Sequence, residues 1–146
     1  ICAIRPGASG DLTLAEGQTS NAGIAWSRPK DGPYNPSTLV YGERLYVLYD
    51  SGMVSCFNAL DGATVYEKQR IPEAKSFTAS PWASNGTIFC LNEDGITYLL
   101  KAGDSFEFIR QNPLDSDEMA LATPAIAGDR LLIRTAGSLY CIRNAQ

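Results

Sequence analysis

The sequence predicts an all-β fold, a partial β-propeller of antiparallel four-stranded blades: about three blades plus a broken one at the N-terminus. Three observations predict it. First, Ser37–Phe57, Ser80–Leu100 and Thr123–Ile142 read alike: a small residue, an apolar strand, a turn and a second strand. Their starts lie 43 residues apart in both intervals. A period of roughly 40–50 residues built from short strands marks a propeller, in which each unit buries its faces on its neighbours. Second, Gly52, Gly95 and Gly137 each precede Phe57, Leu100 and Ile142 by five residues. Such an offset sets hairpin register, since a slip of one residue exchanges the two faces of a strand. Third, Cys2-Ala3-Ile4-Arg5 matches Tyr140-Cys141-Ile142-Arg143, a fourth copy cut short.

Residues 1–28 are the end of a blade carrying a long insert. Ile1–Arg5 ends a third strand, the polar stretch Pro6–Ala22 intervenes, and Gly23–Ser27 is the outer strand. Residues 34–70 are a whole blade: inner strand Ser37–Tyr41, then Arg44–Tyr49, Met53–Phe57 and outer strand Ala63–Lys68. Asp50-Ser51-Gly52 is its hairpin signal, because glycine accepts the positive φ that such turns need. Residues 77–111 repeat the plan with Ala79–Ala83, Thr87–Leu91, Ile96–Leu100 and Ser105–Arg110. Residues 119–146 form an incomplete blade with Ala122–Ile126, Arg130–Arg134 and Ser138–Ile142. Trp26, Tyr66 and Phe108 fall at matching outer-strand positions, where an aromatic covers the apolar seam between blades.

Composition narrows the partners. Lys plus Arg number 12 and Asp plus Glu 16 in 146 residues, a formal charge of -4. No basic run exceeds two residues, so the clustered positive charge that tracks phosphates is absent and nucleic acid is not expected. No apolar stretch reaches the length of a membrane helix. Cys2, Cys56, Cys90 and Cys141 are widely spaced and the chain has no histidine, so no paired metal-ligand pattern exists. Cys56 and Cys141 share a repeat position with Leu99 and Ala3, which reads as a small apolar packing site with buried thiols.

Asn58-Ala59-Leu60-Asp61-Gly62-Ala63-Thr64-Val65-Tyr66 resembles a known repeat ending: a small residue, a variable one, Thr or Asp, Gly, Lys or similar, two variable residues, then Trp. With Ser37/Thr38, Ser80/Pro81 and Thr123/Pro124 at the inner-strand starts, the chain from Ile24 to Ile142 resembles the pyrroloquinoline-quinone-type repeat of the quinoprotein-like β-propeller superfamily. The resemblance implies one of two functions. Many members bind no quinone and serve as scaffolds for protein or ligand binding, including outer-membrane assembly lipoproteins. The alternative is part of a PQQ-dependent quinoprotein dehydrogenase whose site lies in blades outside this segment. Pyrroloquinoline quinone and calcium are cofactors only under that alternative; otherwise none is expected. The family's vicinal Cys pair is missing, and its terminal Trp is Tyr66 in one copy and Phe108 in another. The resemblance also favours a periplasmic or extracellular location.

Tests for chemistry lead to the noncatalytic reading. Asp115, Asp117 and Glu118 are the densest acids, but the Gly and terminal Glu of a calcium loop are lacking and no metal site is expected. Asp50 and Asp94 precede glycines in matching turns, which turn geometry explains. Without histidine, Ser37 and Ser80 have no common general base, so no catalytic residue is expected. Asn85-Gly86-Thr87 matches a glycosylation sequon inside a hairpin turn. Among the aromatics, Tyr34 and Trp82 are the candidates for a binding surface. Tyr34 sits in a loop entering an inner strand, and Trp82 stands where the other repeats have Leu39 and Ala125. The expected partners are the rest of a propeller, another protein chain, or a second copy pairing through open blade edges.

Overall fold

The computed structural model describes residues 1–115 and 117–143, and these contain strands but no helix. β1 (Cys2–Ile4) pairs with β2 (Ile24–Ser27) in a two-stranded sheet. β3 (Leu39–Tyr41), β4 (Arg44–Leu48), β5 (Met53–Asn58) and β6 (Thr64–Arg70) form a four-stranded antiparallel sheet in chain order. β7 (Trp82–Ser84), β8 (Thr87–Leu91), β9 (Ile96–Lys101) and β10 (Phe108–Pro113) form another. β11 (Ala125–Ala127), β12 (Arg130–Arg134) and β13 (Leu139–Arg143) make a three-stranded sheet. The fold is a partial β-propeller, as the repeats require.

Side-chain alternation makes every middle sheet two-sided. Along β4, Leu45 and Val47 join Trp26 and Phe57 in one buried cluster. Tyr46 and Leu48 point the other way, into a cluster with Val54, Cys56, Ile88, Cys90, Tyr98 and Leu100. Along β8, Leu91 then faces a third cluster with Ala79, Ala120 and Ile133. Each cluster is therefore a seam between consecutive sheets. Each large aliphatic side chain buried there contributes roughly 1.5–3 kcal/mol, so the seams hold the arc together.

The turns follow the local chemistry. Asn85 (φ 48°) and Gly86 (φ 73°) both take positive φ between the paired Ser84 and Thr87. This is the two-residue hairpin turn whose twist matches the strands, and Asn-Gly is its favoured sequence. The 6–22 insert folds back on itself around Asn21. The Asn21 Oδ1 accepts from the N–H groups of Gly23 and Ile24, and its Nδ2 donates to the Leu12 carbonyl.

The structure departs from the sequence reading at several points. The inner strands begin at Leu39, Trp82 and Ala125 rather than at Ser37, Ala79 and Ala122. The outer strand of the 77–111 repeat is β10, starting at Phe108 rather than Ser105. Residues 102–107 instead form a closed turn, in which the Lys101 N–H donates to the Glu107 carbonyl and the two side chains pair at 2.9 Å. The turn carrying Gly137 is one residue shorter than its counterparts, because Arg134 pairs with Leu139 whereas Leu48 pairs with Val54 and Leu91 with Thr97. Gly52 and Gly95 accordingly take φ of 84° and 76°, whereas Gly137 does not enter the positive region. Finally, Cys141 is exposed although Cys56, at the same repeat position, is fully buried. Cys56 faces the seam with the β7–β10 sheet, whereas the matching face of the β11–β13 sheet is uncovered among the described residues.

Candidate binding groove between two sheets

The seams are closed by hydrogen bonds that recur with the repeat. The Ser37 N–H donates to Ser80 Oγ at 2.9 Å, and the Ser80 N–H donates to Thr123 Oγ1 at 2.9 Å. Phe77 N–H donates to the Asp50 carbonyl and Ala120 N–H to the Glu93 carbonyl, tying each strand-entry loop to the preceding hairpin turn. The recurring hydroxyl at an inner-strand start is thus an acceptor between sheets, which accounts for Ser37, Ser80 and Thr123 without a nucleophile.

A second repeat position went unnoticed in the sequence because its residues share no type. Tyr49, Asn92 and Thr135 each directly follow the second strand of a sheet. The Tyr49 hydroxyl donates to the Asp31 carbonyl, Asn92 Nδ2 to the Lys75 carbonyl, and the Thr135 hydroxyl to Glu118. Three different side chains make one link, from the hairpin turn to the entry loop. The Thr135 hydroxyl, joined by Ser138 and the Gly137 N–H, holds the Glu118 carboxyl below the usual carboxylate range against partial desolvation. Glu118 is therefore engaged in the fold. Among the described residues no group of three or more Cys, Asp or Glu is placed to hold a metal ion.

The two seams next to the β7–β10 sheet differ at the end carrying the Gly42, Gly86 and Gly128 turns. In the seam with the β3–β6 sheet, Tyr41 Oη accepts from the Gly86 N–H and Tyr46 Oη from the Gly103 N–H, each at 2.9 Å. Arg44 adds a pair to Asp104 at 2.6 Å, and Tyr66 meets Phe106 edge to face at 6.1 Å. In the seam with the β11–β13 sheet, Ser84 stands where Tyr41 does and Phe89 where Tyr46 does. Neither reaches across. A groove of about 360 Å³ remains, lined by Trp82, Ser84, Phe89, Ile126, Leu131 and Ile142, with Asp129, Arg130 and Arg143 at its rim. Trp82 stacks on Phe89 with ring centroids 5.3 Å apart and planes 11° from parallel. The apolar floor comes from alternation: Ile126, Leu131 and Ile142 share the face of β11, β12 and β13 that packs, through Ile133 and Tyr140, on the β7–β10 sheet.

Trp82 and Tyr34 are not brought together. Tyr34 is 85% exposed in the loop before β3, and no residue of that loop lines the Trp82 groove. The entry loops 28–38, 71–81 and 114–124 have equal length, so Tyr34 stands where Phe77 and Ala120 are fully buried. Trp26, by contrast, is used up in packing: its indole N–H donates to the Ala59 carbonyl at 3.1 Å and its ring lies against Gly62. Arg28 is likewise engaged, over the Phe57 ring at 4.0 Å and bonded to Asp31 at 2.6 Å.

No family model and no curated protein matches this chain. Solved structures do. BamB from Moraxella catarrhalis superposes with a TM-score of 0.62 at 18% identity, over 83% of this chain and 37% of that one. The computationally designed Ika8 protein superposes with a TM-score of 0.52 at 11% identity, over 73% of this chain and 32% of that one. The chain spans about a third of the length of either structure. At these identities the likeness shows the fold, not the activity.

Proposed function

We propose that this chain is a noncatalytic segment of a propeller of the pyrroloquinoline-quinone-repeat kind, acting as a scaffold that binds a protein partner in the Trp82 groove. One observation carries the reading. The groove is paved by a stacked Trp82–Phe89 pair and walled by aliphatic side chains. Tryptophan beside an apolar floor is characteristic of the residues that dominate protein-binding surfaces. Trp82 has one ring face on Phe89, and both rings line the groove, where an apolar side chain would insert. The likeness to BamB supports the propeller scaffold on which this groove is built. The repeat resemblance favours a periplasmic or extracellular location.

Selection of peptides from a random-sequence phage library against the immobilised chain tests the proposal. The selected peptides share an apolar or aromatic anchor and lose binding to Trp82→Ala. They also lose binding to Ser84→Tyr, which fills the groove as Tyr41 fills the neighbouring seam, with no loss of fold. Peptides that bind both variants as well as the parent would contradict it.

A further inference from the structure

The hairpins joining β3 to β4, β7 to β8 and β11 to β12 turn at one end of the sheets, and the middle one differs from its neighbours. Gly42-Glu43 and Gly128-Asp129 put glycine first, and only the glycine takes positive φ. Asn85-Gly86 puts glycine second, and both residues are positive, at 48° and 73°. An asparagine followed by glycine is the dipeptide that loses its side-chain amide most readily, because no side chain on the glycine hinders the backbone nitrogen. Both residues are exposed, and a Cβ on Gly86 would meet nothing within 4 Å, so solvent reaches the turn. The seam nevertheless holds the turn by the atom that this reaction needs. Gly86 N–H donates to Tyr41 Oη of the preceding sheet at 2.9 Å. The Gly86 carbonyl accepts from the Ala102 N–H, also at 2.9 Å, and Ser84 pairs with Thr87 on either side of the turn.

We infer that Asn85 is a site of spontaneous amide-to-acid conversion, and that the Tyr41 hydroxyl governs its rate by holding the Gly86 N–H. The Gly86 nitrogen attacks Asn85 Cγ. The N–Cγ bond forms, the Cγ–Nδ2 bond breaks, and ammonia leaves with the proton that the Gly86 nitrogen gives up. Water then opens the succinimide ring at either carbonyl, giving aspartate or isoaspartate. For the first step the Gly86 nitrogen must release its proton and turn toward the Asn85 side chain, and both motions break its bond to Tyr41. Conversion places a carboxylate next to Ser84, which lines the Trp82 groove. The isoaspartyl product also adds a carbon to the main chain of a two-residue turn, whose twist then no longer matches its strands. This inference rests on the seam with the β3–β6 sheet and stands apart from the peptide groove.

Peptide mapping by mass spectrometry after timed incubation in mildly alkaline buffer tests it, with aspartate and isoaspartate separated by chromatography. The samples are the folded parent, the parent unfolded in guanidinium, Tyr41→Phe and Tyr46→Phe. Tyr46→Phe removes a bond of the same kind and length from the same seam, that to the Gly103 N–H, and leaves the bond to Gly86 in place. The folded parent is expected to convert Asn85 more slowly than the unfolded chain, with isoaspartate among the products. Tyr41→Phe is expected to raise the folded rate about fivefold, the factor that corresponds to the net worth of one hydrogen bond. Tyr46→Phe leaves the rate at that of the parent. An unchanged rate in Tyr41→Phe, an equal acceleration by Tyr46→Phe, or aspartate without isoaspartate would overturn the inference. So would a folded parent that converts as fast as the unfolded chain.

Discussion

Ser80 Oγ lies 2.9 Å from the backbone nitrogen of Ser37, one repeat length earlier, and accepts its hydrogen. The Ser80 nitrogen makes the same bond to Thr123 Oγ1. One residue is therefore both acceptor for the sheet before it and donor to the sheet after it. A small hydroxyl side chain meets both demands, because its oxygen reaches across the narrow inner end of a seam while its backbone continues into the strand.

Ser80→Ala removes the acceptor but keeps the donor, so one amide hydrogen bond is lost from the inner end of one seam. The expected cost is about 1 kcal/mol, the usual net worth of such a bond. Ser80→Thr keeps the oxygen and costs less. Urea unfolding of the two variants beside the parent checks the order, and equal loss in both would show that the hydroxyl is not the acceptor that matters.

Gly62 and Gly86 both take positive φ, at 72° and 73°, but only Gly62 is crowded. A Cβ on Gly62 would stand 2.7 Å from the Trp26 ring, whereas a Cβ on Gly86 would meet nothing within 4 Å. Gly86→Ala then costs only backbone strain, roughly 1–2 kcal/mol. Gly62→Ala costs more, because it also displaces Trp26 from its bond to the Ala59 carbonyl. Thermal unfolding ranks the two, and a red shift of tryptophan emission in Gly62→Ala alone identifies the displaced ring.

The four cysteines, all free, divide by position in the arc. Cys2 and Cys141 are exposed and are expected to react with a thiol reagent in the native protein. Cys56 and Cys90 lie in the central seam, where burial pushes their thiols up to about 11 and about 12. They are expected to stay silent until the chain unfolds. Mass mapping after a short alkylation distinguishes the pairs, and modification of Cys90 in the folded protein would contradict the packing of that seam.

The same two thiols set a pH dependence. Their folded values lie above the ordinary 9.0, so the fold favours the protonated form. Between about pH 9 and the raised values the unfolded chain binds fewer protons than the native one, and stability falls as pH rises. Burial likewise raises the Tyr66 hydroxyl, which adds to the effect at still higher pH. Urea midpoints from pH 8 upward follow it. The alkaline loss is expected to shrink in Cys90→Ala once its own packing cost, which is constant with pH, is subtracted.

The sheets were legible in the sequence because hydrophobic alternation and turn glycines repeat at one spacing, and Ser37, Ser80 and Thr123 mark it. Three features were not. The link made by Tyr49, Asn92 and Thr135 is invisible because a phenol, an amide and a hydroxyl make it, two to a backbone carbonyl and one to a carboxylate. The start of β10 was misplaced because Ser105–Phe108 alternates like a strand, while the Lys101–Glu107 turn that displaces it depends on a pairing across six residues. The exposure of Cys141 depends on what covers its sheet, which a repeat position does not reveal. For the binding surface, Trp82 was identifiable as an aromatic out of pattern. The groove beside it needed the further recognition that Ser84 leaves vacant the space Tyr41 fills one repeat earlier.

Native-state amide exchange at Ser37, Ser80, Phe77 and Ala120 tests the packing of the sheets into one arc most directly. These four N–H groups lie outside the strands and bond only across seams. Protection close to that of β5 and β9 is the predicted result. Free exchange at all four, with the strand amides still protected, would mean that the sheets form without packing against one another at a common step, and would contradict the account.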